Sequence, residues 1–234
     1  MLTYIRAILI AIHATFIAIL AILFSPFDTS GGMLHRPLPK LFSYVILFIL
    51  GVKMTVKGRE LLDKKKSYIF VTNHQSYVDI PVLMKAIPNT IRFIYKKQLS
   101  KIPIFGWGMY LSGYIPIDRE NVRTAITSLK KAATKIKNGI SVVIFPEGTR
   151  SLDGSLGDFK RGMFVLADEA KVEIVPVAID GTYKILPRDK FKMKSGHINV
   201  TIDKPIPYRK DPKLLEEIKS IIEKNLNQNK DGSK

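Results

Sequence analysis

The chain contains no cysteine among its 234 residues. This absence excludes disulfide bonds, thiolate metal sites and a cysteine nucleophile, although it does not identify a cellular compartment. The four histidines stand at positions 13, 35, 74 and 197, too far apart for the close spacing that is typical of a zinc site. The sequence also lacks a G-x-S-x-G segment, the turn that presents a nucleophilic serine in α/β hydrolases. We therefore expect neither a metal ion nor a covalent intermediate on cysteine or an elbow serine.

Acidic residues are scarce relative to basic ones. The 20 Asp and Glu residues face 37 Lys and Arg residues, which gives a net charge of +17 and a pI near 9.9. A field of this sign attracts partners that carry phosphate, such as nucleic acids, anionic lipids or phosphorylated metabolites. Charge alone fits a lysine-rich soluble surface equally well. The chain is long enough, and at 46% hydrophobic residues apolar enough, for one sizeable α/β domain with an appendage.

Two apolar runs stand near the N-terminus. Residues 7–24 are interrupted only by His13 and Thr15, and the aliphatic side chains lie all round any helix drawn through them. This run is close to the roughly 18–20 residues that cross a bilayer as a helix. Residues 41–52 form a second run that is too short to span comfortably. Turn-forming residues with basic flanks separate the two runs.

Three interpretations of these runs compete: a cleaved signal peptide, one true span followed by a buried core helix, or a helical hairpin embedded in one leaflet. No clear cleavage site follows the first run, and a second apolar run comes soon after. The hairpin is favoured because the second run is short and the rest of the chain is basic, which suits an anionic cytoplasmic leaflet. We expect a two-helix membrane anchor over residues 1–52 and the main domain over 53–234. The expected location is the inner membrane or the cytoplasmic face of the plasma membrane, as a monotopic protein that does not bind nucleic acid.

Beyond residue 53, short apolar runs alternate with segments of helical periodicity. This alternation predicts an α/β fold in which helices flank a central, largely parallel sheet. Ser76 stands near the expected N-cap of the first helix, and Gly139 ends the second. The predicted strands are 68–72, 91–95, 114–117, 141–145, 172–179 and 197–202, and the predicted helices are 76–87, 121–138 and 211–226, with a further candidate opening at Lys160-Arg161-Gly162.

His74 and Asp79 stand at the end of the predicted strand 68–72. Two residues five apart on an ideal helix point about 140° away from each other. They can pair only if His74 lies in the loop and Asp79 in the first turns of the helix, where the helix dipole favours a carboxylate. Such a carboxylate would fix the imidazole tautomer and leave the other ring nitrogen free as a base. Taken alone, the two residues favour the plainer interpretation, in which His74 caps a turn and Asp79 merely suits a helix start.

A second polar segment, residues 145–151, follows the strand 141–145. Arg150 can bind a phosphate bidentately, and Gly148 lets the backbone approach a ligand. Thr149 adds a hydroxyl donor, and Glu147 could bond a substrate hydroxyl or orient Arg150. A base without a protein nucleophile implies that the substrate is the nucleophile. A hydroxyl that attacks an already activated acyl group would need only such a base, an oxyanion donor and correct placement.

Further cations follow other strands. Arg119 comes after the strand 114–117, with Asp118 as its expected structural partner, and Lys96 comes after the strand 91–95. Singly, each is an ordinary solvated charge. Together they put positive charge at strand ends, where α/β folds bind ligands.

Four blocks in this order resemble those of the glycerolipid acyltransferases, specifically the 1-acyl-sn-glycerol-3-phosphate acyltransferases. The resemblance covers roughly residues 53–205, and the segment from Lys96 to Trp107 also looks like the connecting segment of that family. The blocks are Asn73-His74 through Asp79 (N-H-x-x-x-x-D), Gly113 through Arg119 (G-x-I-x-x-x-R), Phe145 through Ser151 (F-P-E-G-T-R-S) and Val175-Pro176-Val177.

The resemblance implies that His74, held by Asp79, is the general base for the free hydroxyl of lysophosphatidic acid. It implies that the acyl donor is a thioester of coenzyme A or acyl carrier protein, with no further cofactor. Glycerol 3-phosphate or another lysophospholipid is the alternative acceptor, and a non-catalytic basic protein of the membrane surface is the distant alternative. The implied ligands of the acceptor are Arg119 and Arg150 for its phosphate, with Lys96 as a further candidate, while Glu147 and Gly148 shape its site.

Overall fold

The computed structural model of this chain describes residues 1–28, 37–118 and 121–231, with side chains to residue 229. In this part of the chain, seven strands form one sheet in the order β1-β7-β6-β2-β5-β3-β4. Neighbouring strands run parallel except β6 and β7, which run antiparallel. The strands are β1 (Val52–Lys57), β2 (Ile69–Thr72), β3 (Ile91–Lys96), β4 (Ile115–Ile117), β5 (Ser141–Ile144), β6 (Ile174–Asp180) and β7 (Gly196–Ile202).

Helices cover both faces of the sheet, so the predicted α/β class with a largely parallel sheet is confirmed. One apolar core joins the sheet to α2 and α3, and the other joins it to α5, α6 and α8. Strands buried on both faces explain the continuous apolar runs in the sequence. The helices are α1 (Leu2–Phe24), α2 (Pro37–Leu50), α3 (Asp79–Ala86), α4 (Phe105–Leu111), α5 (Val122–Lys137), α6 (Gly162–Ala170), α7 (Thr182–Ile185) and α8 (Lys213–Asp231).

Local signals account for α5. The side chain of Asn121 accepts a hydrogen bond from the backbone N–H of Thr124 and so caps the first turn. Gly139 follows the helix with φ of +85°, a conformation that glycine adopts without strain. The predicted bounds therefore hold to within one residue, and the helix predicted to open at residues 160–162 is α6.

The N-terminal helices pack against the rest of the protein. Residues Ile46, Leu47 and Leu50 of α2 belong to the same core as the sheet, and α2 passes through Gly51 directly into β1. The boundary predicted between residues 52 and 53 falls inside β1, a strand that the sequence pattern does not predict. The pattern misses it because β1 continues the apolar run of α2 and then alternates with lysine and threonine.

The parallel strands bring three loops to one edge of the sheet. The chain leaves β2 at Thr72, β5 at Ile144 and β6 at Asp180, and β2 lies between β5 and β6. Because carboxyl ends of parallel strands share an edge, the loops after these strands lie side by side. The two predicted polar segments therefore meet, and a third segment, after β6, joins them.

Candidate active site

The side chains of His74 and Asp79 are hydrogen-bonded, with 2.7 Å between Nδ1 and a carboxylate oxygen. Asp79 is fully buried, whereas the His74 side chain is 15% exposed. An acceptor at Nδ1 places the ring proton there and leaves Nε2 with its lone pair. Within the described residues no hydroxyl group is hydrogen-bonded to the His74 ring. The pair is thus a candidate general base without a protein nucleophile.

The loop geometry differs from the prediction in one respect. The helix begins at Asp79 rather than near Ser76, so Ser76 is not its N-cap. The same Asp79 oxygen that bonds His74 also accepts the backbone N–H groups of Gln75, at 2.8 Å, and Ser76, at 2.9 Å. The carboxylate therefore shapes the loop and orients the imidazole at the same time.

The segment after β5 holds the backbone of His74 on both sides. Glu147 Oε1 accepts the His74 N–H at 2.7 Å, and the N–H of Ser151 donates to the His74 carbonyl oxygen at 2.8 Å. The ring of Phe145 stacks on the imidazole, with 3.9 Å between centroids and 21° between planes. The two loops are thus one assembly that fixes the position and the plane of the base.

Both carboxylate oxygens of Glu147 are bonded to backbone N–H groups, and neither is bonded to Arg150. Its second oxygen accepts the N–H of Gly157 at 2.9 Å, and the residue is only 6% exposed. Burial raises the pKa of the Glu147 carboxyl, and the two backbone N–H donors oppose that shift. Through these bonds Glu147 links its own segment to the His74 loop and to Gly157.

Arg150 lies at the outer side of the same assembly. Its guanidinium carbon is 3.7 Å from the centroid of the Tyr77 ring, which itself is 62% exposed. Arg188 Nη1 donates to the Arg150 carbonyl oxygen at 2.6 Å and so brings a second cation to this rim. A planar guanidinium on an aromatic face keeps its N–H edge available to an anion.

Other predicted residues surround this rim. Gly148 has φ of +72°, a left-handed conformation that favours glycine, and it lies against the end of the Lys160 side chain. Thr149 is exposed beside it, and Lys96 is exposed at the end of β3. Arg119 lies outside the described residues, and its expected partner Asp118 forms an ion pair with Lys97 at 3.6 Å.

Sequence reasoning misses two residues of this edge, Thr182 and Arg188. Thr182 Oγ1 donates to the second oxygen of Asp79 at 2.5 Å. Both residues follow β6, about a hundred residues after the histidine, and no catalytic motif marks them. Among the described residues, no group of three His, Asp or Glu side chains is placed to hold a metal ion.

Comparison with known proteins gives one family. A family model described as "Acyltransferase" matches residues 53–180. The chain is 35% identical over 221 residues to the chloroplastic 1-acyl-sn-glycerol-3-phosphate acyltransferase LPAT1 of Arabidopsis thaliana, covering 92% of this chain and 62% of that protein. It is 34% identical over 211 residues to the 1-acyl-sn-glycerol-3-phosphate acyltransferase of Saccharomyces cerevisiae, covering 88% and 69%.

One solved structure is similar to this chain over almost the whole length of both proteins. The crystal structure of the 1-acyl-sn-glycerophosphate (LPA) acyltransferase PlsC from Thermotoga maritima matches with a TM-score of 0.84 and 27% identity, covering 98% of this chain and 95% of that one. By contrast, the chain spans only 49–62% of the length of the plant and algal relatives that it matches.

Proposed function

Since this chain belongs to the acyltransferase family, we propose that it moves a fatty acyl group from a thioester to the sn-2 hydroxyl of lysophosphatidic acid, giving phosphatidic acid. The observation that carries the proposal is the 2.7 Å contact between His74 and Asp79 next to Arg150, with no hydroxyl of the described residues on the imidazole. A base beside an anion-binding side chain fits an acceptor that has both a hydroxyl and a phosphate.

The proposed reaction is a direct transfer. His74 Nε2 takes the proton of the acceptor hydroxyl as its oxygen attacks the thioester carbonyl carbon. The carbon–sulfur bond of the tetrahedral intermediate then breaks, and the leaving thiolate takes a proton back from the imidazolium. Asp79 stabilises the imidazolium that exists between these steps. The products are phosphatidic acid and the free thiol of coenzyme A or acyl carrier protein.

Thiol release tests this function. Purified protein in detergent or lipid is given acyl-CoA or acyl carrier protein thioester, with and without lysophosphatidic acid, and free thiol is measured. We expect release that depends on the acceptor and forms an equal amount of phosphatidic acid. Glycerol 3-phosphate and other lysophospholipids, run in parallel, identify the acceptor. No release with any acceptor would support the non-catalytic alternative.

Arg150 is proposed to bind the acceptor phosphate. We expect Arg150→Ala to raise the KM for lysophosphatidic acid about 10- to 100-fold, because a hydrogen bond to a charged group contributes roughly 1.5–3 kcal/mol. The kcat should change much less, since the phosphate is remote from the reacting carbon. Steady-state kinetics over acceptor concentration give the two constants separately.

Lys64→Ala serves as a control for loss of one positive charge, because Lys64 is exposed and precedes β2, at the opposite end of that strand from His74. Equal KM changes in Arg150→Ala and Lys64→Ala would show that net charge, and not a specific contact of Arg150, causes the effect. A large fall in kcat with unchanged KM would contradict a role in binding.

We also propose that α1 and α2 hold the protein in one leaflet. The described residues include one helix long and apolar enough to cross a membrane, α1, and only 11% of its apolar window is buried. However, α1 contacts the main domain along its length: Arg6 donates to Ser195 Oγ at 2.7 Å, and Ala18 packs on Gly108. These contacts favour an in-plane helix over one that leaves the domain to cross the bilayer.

The α1 surface continues onto α4, where Trp107 and Tyr110 are 57% and 66% exposed. Aromatic side chains of this kind prefer the membrane–water interface. Trp107 is the sole tryptophan of the chain, so its fluorescence reports directly on this contact. We expect a blue shift with phosphatidylglycerol vesicles and quenching by brominated lipid, both weaker with neutral vesicles.

Topology is tested with single cysteines, because the chain has none of its own. Leu2→Cys and Ser25→Cys mark the two ends of α1. In a one-leaflet anchor, a membrane-impermeant thiol reagent labels both from the side of the main domain. Labelling of the two from opposite sides would establish a span, and a protein that neither needs detergent nor floats with liposomes would exclude the anchor.

A further inference from the structure

The buried carboxylate of Asp79 has a fourth hydrogen-bond donor that lies outside the recognised blocks. Thr182 Oγ1 is 2.5 Å from Asp79 Oδ1 and 3.3 Å from Gln75 Oε1, so its single proton goes to the nearer carboxylate. Thr182 is fully buried. The other three donors, from His74, Gln75 and Ser76, all reach Oδ2. Thr182 is thus the one described donor to Oδ1.

The fold brings this hydroxyl to the carboxylate through a tight turn. Thr182 comes two residues after β6, the strand beside β2, and Gly181 turns the chain towards the His74 loop with φ of +102°. A Cβ on Gly181 would lie 2.5 Å from the carbonyl oxygen of His197 in β7, so only glycine allows this turn. Ser76 Oγ also donates to the Leu186 carbonyl oxygen at 2.7 Å and fastens the same segment.

We propose that Thr182 is a positioning residue of the His74–Asp79 pair, which holds the carboxylate in the orientation that the imidazole requires. The inference rests on the proposed function of that pair. The three donors on Oδ2 hold only that oxygen of Asp79. The plane of the carboxylate could still turn while Oδ2 stays in place. The hydroxyl on Oδ1 removes that freedom and disperses the negative charge over both oxygens.

Removal of the donor should affect the chemical step. The carboxylate plane loses its second anchor, and displacement of reacting groups by a fraction of an ångström lowers the rate of that step. Binding of the acceptor does not depend on this anchor, so its KM should change little.

Thr182→Val and Thr182→Ser test the proposal, since valine keeps the shape without the hydroxyl and serine keeps the hydroxyl. We expect Thr182→Val to lower kcat about 10- to 100-fold with little change in the KM for the acceptor. Thr182→Ser should restore most of kcat.

Ser141→Ala is the matched control, because it deletes a buried hydroxyl that accepts the N–H of Tyr68 at the opposite end of the sheet. It should lower the melting temperature and leave kcat unchanged. If Thr182→Val fails to fold, Thr182→Ser and Thr182→Ala are compared at a temperature where both are folded. A lower kcat in Thr182→Ala than in Thr182→Ser would then support the proposal, and equal kcat values would contradict it.

The double variant separates the role of Thr182 from that of the pair itself. In an Asp79→Asn background, Thr182→Val should lose most of its effect on kcat, because the group that it positions has changed. Wild-type kinetics in Thr182→Val, together with an inactive His74→Ala, would overturn the proposal and leave the proposed function intact. Full activity in His74→Ala would overturn the proposed function itself.

Discussion

His74→Ala is expected to lower kcat by a factor of about 10²–10⁴, the usual contribution of a general base, which corresponds to about 2.7–5.4 kcal/mol in the activation barrier. The acceptor hydroxyl loses its proton acceptor, and no other described side chain takes the place of the imidazole. The backbone contacts of residue 74 with Glu147 and Ser151 do not depend on its side chain, so the loop should keep its shape. Phosphatidic acid formation at saturating substrate measures the loss.

His197→Ala is the matched control for this variant. His197 is an exposed histidine whose ring is hydrogen-bonded to Thr55 across β1 and β7, two strands that β6 separates from β2 and β5. Its removal should leave kcat unchanged, and both variants should melt near the temperature of the unmodified protein. Full activity of His74→Ala, with His197→Ala equally active, would exclude His74 as the base.

The core strands can be predicted because their sequences leave few alternatives. Strands buried on both faces, such as β2 and β5, must be continuously apolar, and the polar segments after them can only be loops. Parallel pairing then brings those loops to one edge, so the sequence pattern already predicts that His74 and residues 145–151 lie together. The sequence also predicts how His74 and Asp79 can be hydrogen-bonded, because the two side chains can meet only if His74 lies in the loop before the helix.

Other features depend on tertiary contacts that leave no local pattern. Ser76 is a common N-cap residue, but the helix begins three residues later, at Asp79, whose carboxylate accepts the Ser76 N–H. Glu147 resembles a ligand because it is charged and follows a strand, yet both of its oxygens bond backbone N–H groups. Thr182 reaches the site from β6, and only the strand order reveals that proximity.

These contacts join the loops of the site to one another. The loop after β2 is held by the segment after β5 through Glu147 and by the segment after β6 through Thr182. Asn73 adds two hydrogen bonds to the backbone of Ile179, both at 2.8 Å. The proposed base, His74, is therefore held from three neighbouring strands, and the proposed direct acyl transfer would need such preorganisation.

The second large effect is expected for Asp79→Asn, which should lower kcat about 10³- to 10⁴-fold, by analogy with the loss found when the orienting carboxylate of a catalytic histidine is made neutral. An asparagine can keep the loop intact: its oxygen accepts the N–H groups of Gln75 and Ser76, and its NH₂ group donates to Thr182 Oγ1. The Thr182 hydroxyl can then rotate and donate to Gln75 Oε1, which lies 3.3 Å from Thr182 Oγ1. The geometry survives, while the negative charge that stabilises the imidazolium is lost.

A thermal melt separates this electrostatic loss from misfolding. We expect a melting temperature close to that of the unmodified protein together with the full loss of kcat, because the imidazolium that forms during the reaction lacks its counterion. Asp79→Ala should melt lower, because it leaves the buried N–H groups of Gln75 and Ser76 without their acceptor, at a cost of about 1–3 kcal/mol each. Equal stability losses in the two variants, or wild-type turnover in Asp79→Asn, would show that Asp79 only supports the loop and that His74 works without a charged partner.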